Sequence, residues 1–442
     1  MVKVATYGTF DLFHKGHYRL LQRAKALGDY LIVGVTTEEY DIERGKLNVV
    51  DSLMTRIENV RKTGFADEII IESSGEQKVS DIKKYGIDII TVGSDWVGKF
   101  DHLKQYCEVV YLERTKGISS TMLREENRTI IRLGIVGNGR IADRFVPESK
   151  AVSGINIQGV YNPHIESAAI FADRHEIDFY PDLEEMYNEV DAVYVASPHQ
   201  THYEYIKDAL NHGKHVLAEK PMVLKKSEAE ELFALAREKN LVLFEAIKTA
   251  YCPGFNQLIN LVGSGVIGDV KSVEATFTKL EGPQTRELTD TVYGGSFREL
   301  ATYCLLPAIK SFGTHPEKVS FDVIRREDRL DLFTKAHLVY KNGIATATCG
   351  LGVKSEGQCV ISGTTGYVLV PAPWWKTVYF EVRREDPRDV ERYSATFKAD
   401  GMRYEISDFL SAINGRSRSE FTLNAEESVT LAGIIEEFGN DR

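Results

Sequence analysis

Residues 130–145 read IIRLGIVGNGRIADRF: an apolar strand, a turn with glycines at 137 and 139, and the opening of a helix. The same order stands at the start of the chain, where VKVATYG is followed by TFDLFHKGH and then YRLLQRAKALG. In that last segment Leu20, Leu21, Ala24 and Leu27 share one helical face. Each segment opens a run of alternating strands and helices. LIVGV, EIIIE, IDIITVG and EVVYLE follow the first; IQGVYN, AVYVAS, HVLAEK and LVLFEA follow the second. Such alternation predicts parallel, doubly wound sheets, so the chain restarts one class of α/β fold near residue 130. The junction carries no Gly/Ser-rich or Pro-rich linker, and a helix starting at Ser119 or Ser120 is expected to run into the second strand series. Beyond Tyr251 the pattern changes to segments such as VKSVEATFTKL, LFTKAHLVY and QCVISGTTGYVLV. Their period-two alternation predicts a mostly antiparallel sheet, closed by helices near 404–413 and 425–438.

Composition bounds the function. A chain of 442 residues with 43% hydrophobic and 27% charged side chains has room for two to four globular domains. No apolar run reaches the roughly 18 residues that a membrane helix needs, and MVKVATYGTF leads directly into a strand, so a cytoplasmic protein with no membrane role is expected. Cys107, Cys252, Cys304, Cys349 and Cys359 form no CxxC pair and read as reduced thiols. The net charge is −11, the first 129 residues are close to neutral, and no basic stripe is present. Nucleic acid is therefore not an expected partner, and phosphorylated ligands must be held by local constellations.

The first constellation is Gly8-Thr9-Phe10-Asp11-Leu12-Phe13-His14-Lys15-Gly16-His17. It sets two histidines three apart where a strand hands over to a helix, and backbone N–H groups collected there suit a polyphosphate. Two imidazoles beside them can donate to phosphoryl oxygens as charge develops. Arg114-Thr115-Lys116-Gly117-Ile118-Ser119-Ser120-Thr121 adds cations and hydroxyls before a second helix. Together with RAKALGDYLIVGV and VGSDWVGKFD, these segments resemble the HxGH nucleotidyltransferase superfamily, specifically the glycerol-3-phosphate cytidylyltransferases, over residues 1 to about 126. The resemblance implies that His14 and His17 stabilise the transferring α-phosphoryl group. It implies further that Lys46 and Arg56 reach the triphosphate or the acceptor phosphate. Gly8, Thr9, Phe10, Asp11, Asp95, Arg114, Thr115, Ser119 and Ser120 would complete the nucleotide site. CTP is then the nucleotide substrate. No resident metal is expected beyond Mg²⁺ brought with CTP, for which Asp11 is the candidate carboxylate.

The second constellation is Gly137-Asn138-Gly139-Arg140-Ile141-Ala142, the GxGxxA form of a dinucleotide-binding turn between strand and helix. Ala196-Ser197-Pro198-His199-Gln200-Thr201-His202 and Ala218-Glu219-Lys220-Pro221 follow at the ends of later strands, where doubly wound folds place ligands. His199 and His202 lack an evident carboxylate or cysteine partner, so they do not read as a metal pair. Trp374 and Trp375 read as sheet or loop packing. This order resembles the glucose–fructose oxidoreductase / inositol dehydrogenase (Gfo/Idh/MocA) family from residue 130 to the end. The resemblance implies a nicotinamide cofactor held by Gly137, Asn138, Gly139, Arg140, Ile141, Asn162, Ser197, Pro198, His202, Glu219 and Lys220. Lys220 would polarise the substrate oxygen. In the segment Gly294-Gly295-Ser296-Phe297-Arg298-Glu299-Leu300-Ala301-Thr302-Tyr303, Glu299 replaces the usual aspartate, and Tyr303 stands where many members have histidine. Tyrosine can serve as the proton donor. Asn162 occupies the place of the ribose-binding acid, which leaves NAD and NADP both open.

The expected domains are a cytidylyltransferase at 1–128, an NAD(P)-binding Rossmann domain at 129–250 and a substrate-binding and oligomerisation α+β domain at 251–442. A homo-oligomer, a dimer, is expected. The combined expectation is reduction of a ketose phosphate to a polyol phosphate, then activation with CTP to a CDP-glycerol or CDP-ribitol type donor for bacterial surface polymers. Two rivals stand beside it: an oxidoreductase for an unrelated sugar, and a fusion in which one half is a non-catalytic nucleotide-binding module.

Overall fold

The computed structural model describes all residues except 12, 14, 44–48, 50, 76, 95, 96, 113–129, 416–421, 441 and 442. The chain forms two compact units, Met1–Ile130 and Ile131–Arg442.

In the first unit, strands β1 (Lys3–Gly8), β2 (Tyr30–Thr36), β3 (Glu68–Glu72), β4 (Ile89–Gly93) and β5 (Glu108–Leu112) pair in the order β3-β2-β1-β4-β5. Every pairing is parallel, as the strand–helix alternation predicts. The strand period of two divides the apolar residues between faces. Leu31, Val33 and Val35 meet Leu21, Ala24, Ile57 and Val60 from the helices Lys15–Lys25 and Leu53–Lys62. Ile32, Ala5 and Ile90 meet Ile82 of the helix Gln77–Tyr85 on the other side.

The second unit begins with a six-stranded parallel sheet: β6 (Ile131–Val136), β7 (Ile155–Tyr161), β8 (Asp178–Tyr180), β9 (Ala192–Val195), β10 (His215–Glu219) and β11 (Leu243–Ala246). Its order is β11-β10-β9-β6-β7-β8, so the chain reverses direction across the sheet between β6 and β9. Ligands of doubly wound sheets bind at such a reversal, beyond the carboxyl ends of the strands. The remaining strands are β12 (Val270–Thr278), β13 (Lys318–Arg325), β14 (Asp331–Tyr340), β15 (Gly343–Gly350), β16 (Cys359–Gly363), β17 (Tyr367–Val370), β18 (Tyr379–Arg383) and β19 (Val390–Ser394). They form one sheet in the order β13-β14-β15-β12-β16-β17-β18-β19. The sheet is antiparallel except at β12–β15, a parallel pairing that strand alternation alone does not show. The helices expected near 404–413 and 425–438 span Met402–Ile413 and Ala425–Asn440.

The helix Ser296–Phe312 packs on β12, β14 and β15 and carries two candidate site residues. Its start is fixed by Asp331, whose carboxylate accepts hydrogen bonds from the Ser296 hydroxyl and the Phe297 N–H, both at 2.7 Å. That satisfies an otherwise orphan N–H of the first turn. Gly295 precedes it at φ +101°, with a Cβ position 2.0 Å from Asp331 Oδ1. Only glycine fits there. Among the described residues no helix is long and apolar enough to cross a membrane.

Candidate functional sites

In the first unit the turn after β1 is held from beneath. Thr9 Oγ1 and Thr36 Oγ1, at the ends of adjacent strands, donate to the two oxygens of buried Asp41 at 2.8 and 2.7 Å. Arg56, fully buried, donates through Nη1 to Thr9 O, Thr36 O and Asp41, and through Nε to Asp51 O. The resemblance implies that Arg56 reaches the phosphates; in the fold its Nη1 and Nε are taken up by Thr9, Thr36, Asp41 and Asp51, while Nη2 makes no hydrogen bond among the described residues and lies 3.5 Å from Glu38 Oε1. Asp11 is buried as well and accepts the Asp51 N–H at 2.8 Å. Phe10 takes φ +53°, a left-handed conformation sparsely used by side-chain-bearing residues. Its ring turns inward, 5.4 Å from the His17 ring, and passes where a Cβ on Gly8 would stand at 3.1 Å. The structure thus brings Gly8, Thr9, Phe10, Asp11 and His17 together at the carboxyl end of β1. His14, Lys46, Asp95, Arg114, Thr115, Ser119 and Ser120 lie outside the described residues. Sequence reasoning missed Asp41 and Thr36, because nothing in their local pattern marks them as partners of Thr9.

In the second unit a cavity of about 760 Å³ opens at the β6/β9 reversal. Gly137 adopts φ +98°, and a Cβ there would stand 2.7 Å from Ala196 O, so the turn needs glycine twice over. A Cβ on Gly139 would meet nothing within 4 Å. Gly139 caps the helix Arg140–Ser149 without a side-chain acceptor, leaving that helix's first N–H groups for a ligand. A backbone cradle facing open space at a helix start fits a dinucleotide pyrophosphate. Asn162 follows β7; its amide donates to Asn138 Oδ1 at 2.7 Å, and Asn138 donates to Ser167 Oγ at 2.7 Å. This amide chain presents neither an acid nor a guanidinium at the β7 end. Arg140 makes an ion pair with Glu287, tying the turn to the short helix Arg286–Thr289.

At the next strand ends, His202 braces the backbone. Its ring nitrogens lie 2.8 Å from Ser197 O and 3.0 Å from Pro221 O, linking the loops after β9 and β10. It is fully buried, and burial pushes its pKa down. The ring is thus an internal strut. Glu219 accepts the Tyr194 hydroxyl at 2.6 Å and the Lys220 N–H at 3.2 Å, and burial pushes its carboxyl upward. Lys220 Nζ donates to Glu299 O at 2.8 Å and to Glu299 Oε1 at 3.1 Å. It also lies 5.6 Å from the centre of the Tyr303 ring. Burial works against the Glu299 carboxylate, but Lys220, Lys279 and Arg286 outweigh it and hold its pKa below the usual range. Tyr303 moves the other way: burial, then the charges of Glu219, Glu405 and Glu299, raise its pKa well above that of a free phenol. The Glu299-for-aspartate replacement therefore keeps a carboxylate on the lysine, one helical turn from the phenol. The pairing of a fixed ammonium and a protonated phenol can polarise a carbonyl and protonate its oxygen.

The cavity wall includes residues that the sequence reading did not single out: Lys248, Phe277, Lys279, Arg286 and Glu287. Lys248 obeys the rule that found Lys220, a polar residue just beyond the carboxyl end of a parallel strand; the other four come from the second sheet's segment and carry no such signal. The tryptophans divide. Trp374 is fully buried and donates its indole N–H to Thr276 O at 2.9 Å. Trp375 lines the cavity, stacked on Phe277 with ring centroids 3.5 Å apart.

Residues 5–126 match the family described as cytidylyltransferase-like. Residues 131–247 match the oxidoreductase family with an NAD-binding Rossmann fold, and residues 255–369 match the GFO/IDH/MocA C-terminal domain. Glycerol-3-phosphate cytidylyltransferase of Bacillus spizizenii is 52% identical over 126 residues, 28% of this chain and 97% of that protein. A dTDP-3,4-didehydro-2,6-dideoxy-alpha-D-glucose 3-reductase of Actinomadura kijaniata is 33% identical over 270 residues, 58% of this chain and 80% of that protein. The crystal structure of KijD10, a 3-ketoreductase of Actinomadura kijaniata with NADP and TDP-benzene, superposes with a TM-score of 0.59 at 25% identity, over 69% of this chain and 96% of that one. With the turn after β1 on one sheet, the NAD(P)-binding turn and Lys220 on a second, and Tyr303 on the helix that packs against the third, the chain belongs to two families: it is a cytidylyltransferase fused to a Gfo/Idh/MocA oxidoreductase.

Proposed function

We propose that the chain reduces a ketose phosphate with NAD(P)H in its second unit and transfers a cytidylyl group from CTP to the resulting polyol phosphate in its first. The product would be a CDP-polyol of the glycerol or ribitol type, a donor for bacterial surface polymers. We assign transfer to 1–128, cofactor binding to 129–250 and substrate binding with oligomerisation, as a dimer, to 251–442, in the cytoplasm. The observation that carries the reading is the union on one chain of a unit so similar to a glycerol-3-phosphate cytidylyltransferase with a carbonyl-reducing lysine–tyrosine pair. A reductase whose product is the transferase's acceptor gives that union a chemical purpose.

In the reductase, Gly137, Asn138, Gly139, Arg140 and Ile141 would hold the cofactor's pyrophosphate, Asn162 its adenosine ribose, and Ser197 and Pro198 the nicotinamide end. When bound, the nicotinamide supplies hydride. Lys220 orients the substrate carbonyl, and Tyr303 delivers the phenolic proton to its oxygen. Glu219 and His202 hold the strand ends that aim Lys220. In the transferase the acceptor phosphate attacks the α-phosphorus in line and pyrophosphate leaves. His14 and His17 offset the charge that develops, and Arg114, Thr115, Ser119 and Ser120 bind the nucleotide. Asp95 and Lys46 flank the triphosphate. Asp11 is the carboxylate assigned to Mg²⁺, a cation that prefers oxygen ligands.

The test is one reaction containing ketose phosphates, NADH or NADPH, and CTP, read by mass for a CDP-polyol. A transferase that uses a polyol phosphate well, beside a reductase inert toward the matching ketose phosphate, refutes the single pathway. A second reading, reduction of an unrelated sugar ketone, draws on the likeness to KijD10 and predicts turnover of sugar nucleotides instead.

A further inference from the structure

Lys248 lines the reductase cavity half-buried, yet its Nζ makes no ion pair or hydrogen bond among the described residues. The other cations near the lysine–tyrosine pair are engaged. Lys220 and Arg286 share Glu299, at 3.1 and 4.0 Å, and Lys279 pairs with Glu281. The buried carboxylates of Glu219 and Glu405 feel its charge, but neither comes within ion-pair distance, so the ammonium is only partly compensated and can still take an anion.

The backbone says where that anion would lie. β10 and β11 are adjacent parallel strands, and their register pairs Glu219 with Ala246. Lys220 and Lys248 therefore leave the carboxyl ends of neighbouring strands, roughly 4.8 Å apart across the sheet. Gly137 follows β6, three strands from β11 in the order β11-β10-β9-β6. At the same spacing that is about 14 Å, so Lys248 is remote from the pyrophosphate turn. It sits on the side of Lys220 away from that turn. Lys248 and Tyr303 also share Glu219, Glu405 and Cys252 as electrostatic neighbours, which places both at this end of the cavity.

We propose that Lys248 is the cation of a substrate subsite, binding the phosphate of the ketose phosphate while Lys220 and Tyr303 hold its carbonyl. Arg286 and Lys279, which line the same cavity, are the further cations that would close on the same anion once it draws them from Glu299 and Glu281. The inference rests on the phosphorylated-ketose reading and makes Lys248 the residue that distinguishes a phosphorylated ketose from its neutral parent.

The experiment compares Lys248→Met and Lys248→Arg in the full chain, with a ketose phosphate and with the same ketose lacking phosphate. Lys248→Met should lower kcat/KM for the phosphate ester at least about 10-fold, the scale of one charge-assisted hydrogen bond. For the neutral ketose the change should stay within about threefold, NAD(P)H affinity should hold, and Lys248→Arg should recover most of the loss. Equal losses on both ketoses, or weakened cofactor binding, would overturn the subsite. If the wild type reduces no ketose phosphate, the pathway reading fails, and the subsite is then read by calorimetry. Inorganic phosphate is titrated into the cofactor-loaded chain with CTP saturating the first unit. Binding weakened at least about 10-fold by Lys248→Met sustains the subsite; equal binding, or stronger competition by malonate than by phosphate, overturns its assignment to phosphate.

Discussion

Replacing Tyr303 by phenylalanine removes one hydroxyl from a buried ring and separates chemistry from stability unusually well. The ring packs 5.5 Å from Phe277 and 5.6 Å from the Lys220 ammonium, contacts that phenylalanine keeps. Among the described residues the hydroxyl has no hydrogen-bond partner to strand, so the fold should lose less than about 1 kcal/mol. For a unit of this size that is a shift in Tm of roughly 2–4 °C or less. Hydride transfer, by contrast, loses its proton donor, and positioned acid–base groups contribute about 10²–10⁴-fold. At 1.36 kcal/mol per decade, the lower bound corresponds to about 2.7 kcal/mol of transition-state stabilisation. The assay is single-turnover oxidation of NAD(P)H, followed by absorbance, beside a thermal melt of the same sample. The phenol's raised pKa adds a signature: no loss of rate from Tyr303 ionisation should appear below about pH 10 in the wild type. A Tyr303→Phe enzyme that reduces substrate at the wild-type rate would refute the assignment. His202, its ring nitrogens both facing carbonyls, could not then be named as the substitute donor without a rearrangement.

The other expectations concern both units. His17→Ala should abolish pyrophosphate release from CTP and leave NAD(P)H binding intact, and loss of both in a folded protein would contradict independent sites. Arg56→Met should take the guanidinium away from the buried Asp41 carboxylate and from the carbonyls of Thr9, Thr36 and Asp51, and destabilise the first unit by about 3–5 kcal/mol, measurable by denaturant titration; a loss below about 1 kcal/mol would deny the strut role. Glu245 is wholly buried, and burial pushes its pKa up to about 7. Its folded pKa thus exceeds its unfolded value, so stability is highest at low pH on its account and falls as pH rises from about 4.5 through 7. The full cost is on the order of 3 kcal/mol at 1.36 per pKa unit. Glu245→Gln should flatten that slope and raise stability at pH 8, and a variant with the wild-type pH profile would disprove it.

Much of this architecture was legible in residue order. Parallel sheets follow from alternating strands and helices, because a parallel return needs a crossover. Gly137 was readable because a tight turn and a close backbone approach leave no side chain an alternative, and Lys220 because strand ends at a sheet reversal collect ligand groups. The strand–turn–helix order behind both readings is carried by neighbours in sequence, and it also pointed to the turn after β1.

What tertiary structure decided was partnership. Arg56 is a phosphate ligand by resemblance, and only the fold shows that Thr9, Thr36 and the segment at Asp51 converge on its Nη1 and Nε. His202 and Glu219 sit in motif positions, yet their polar atoms turn to the backbone and to Tyr194. Trp374 and Trp375 are adjacent in sequence and part company because one faces the core and the other the cavity. Lys248 and Arg286 join the site across long stretches of chain, through strand register and the packing of the second sheet's segment. Sequence by itself determined which elements form and where a ligand turn must be, since those depend on short-range sterics and periodicity. Which charges meet, and which are left for a substrate, depends on distances between residues far apart in the chain, and only the folded arrangement sets them.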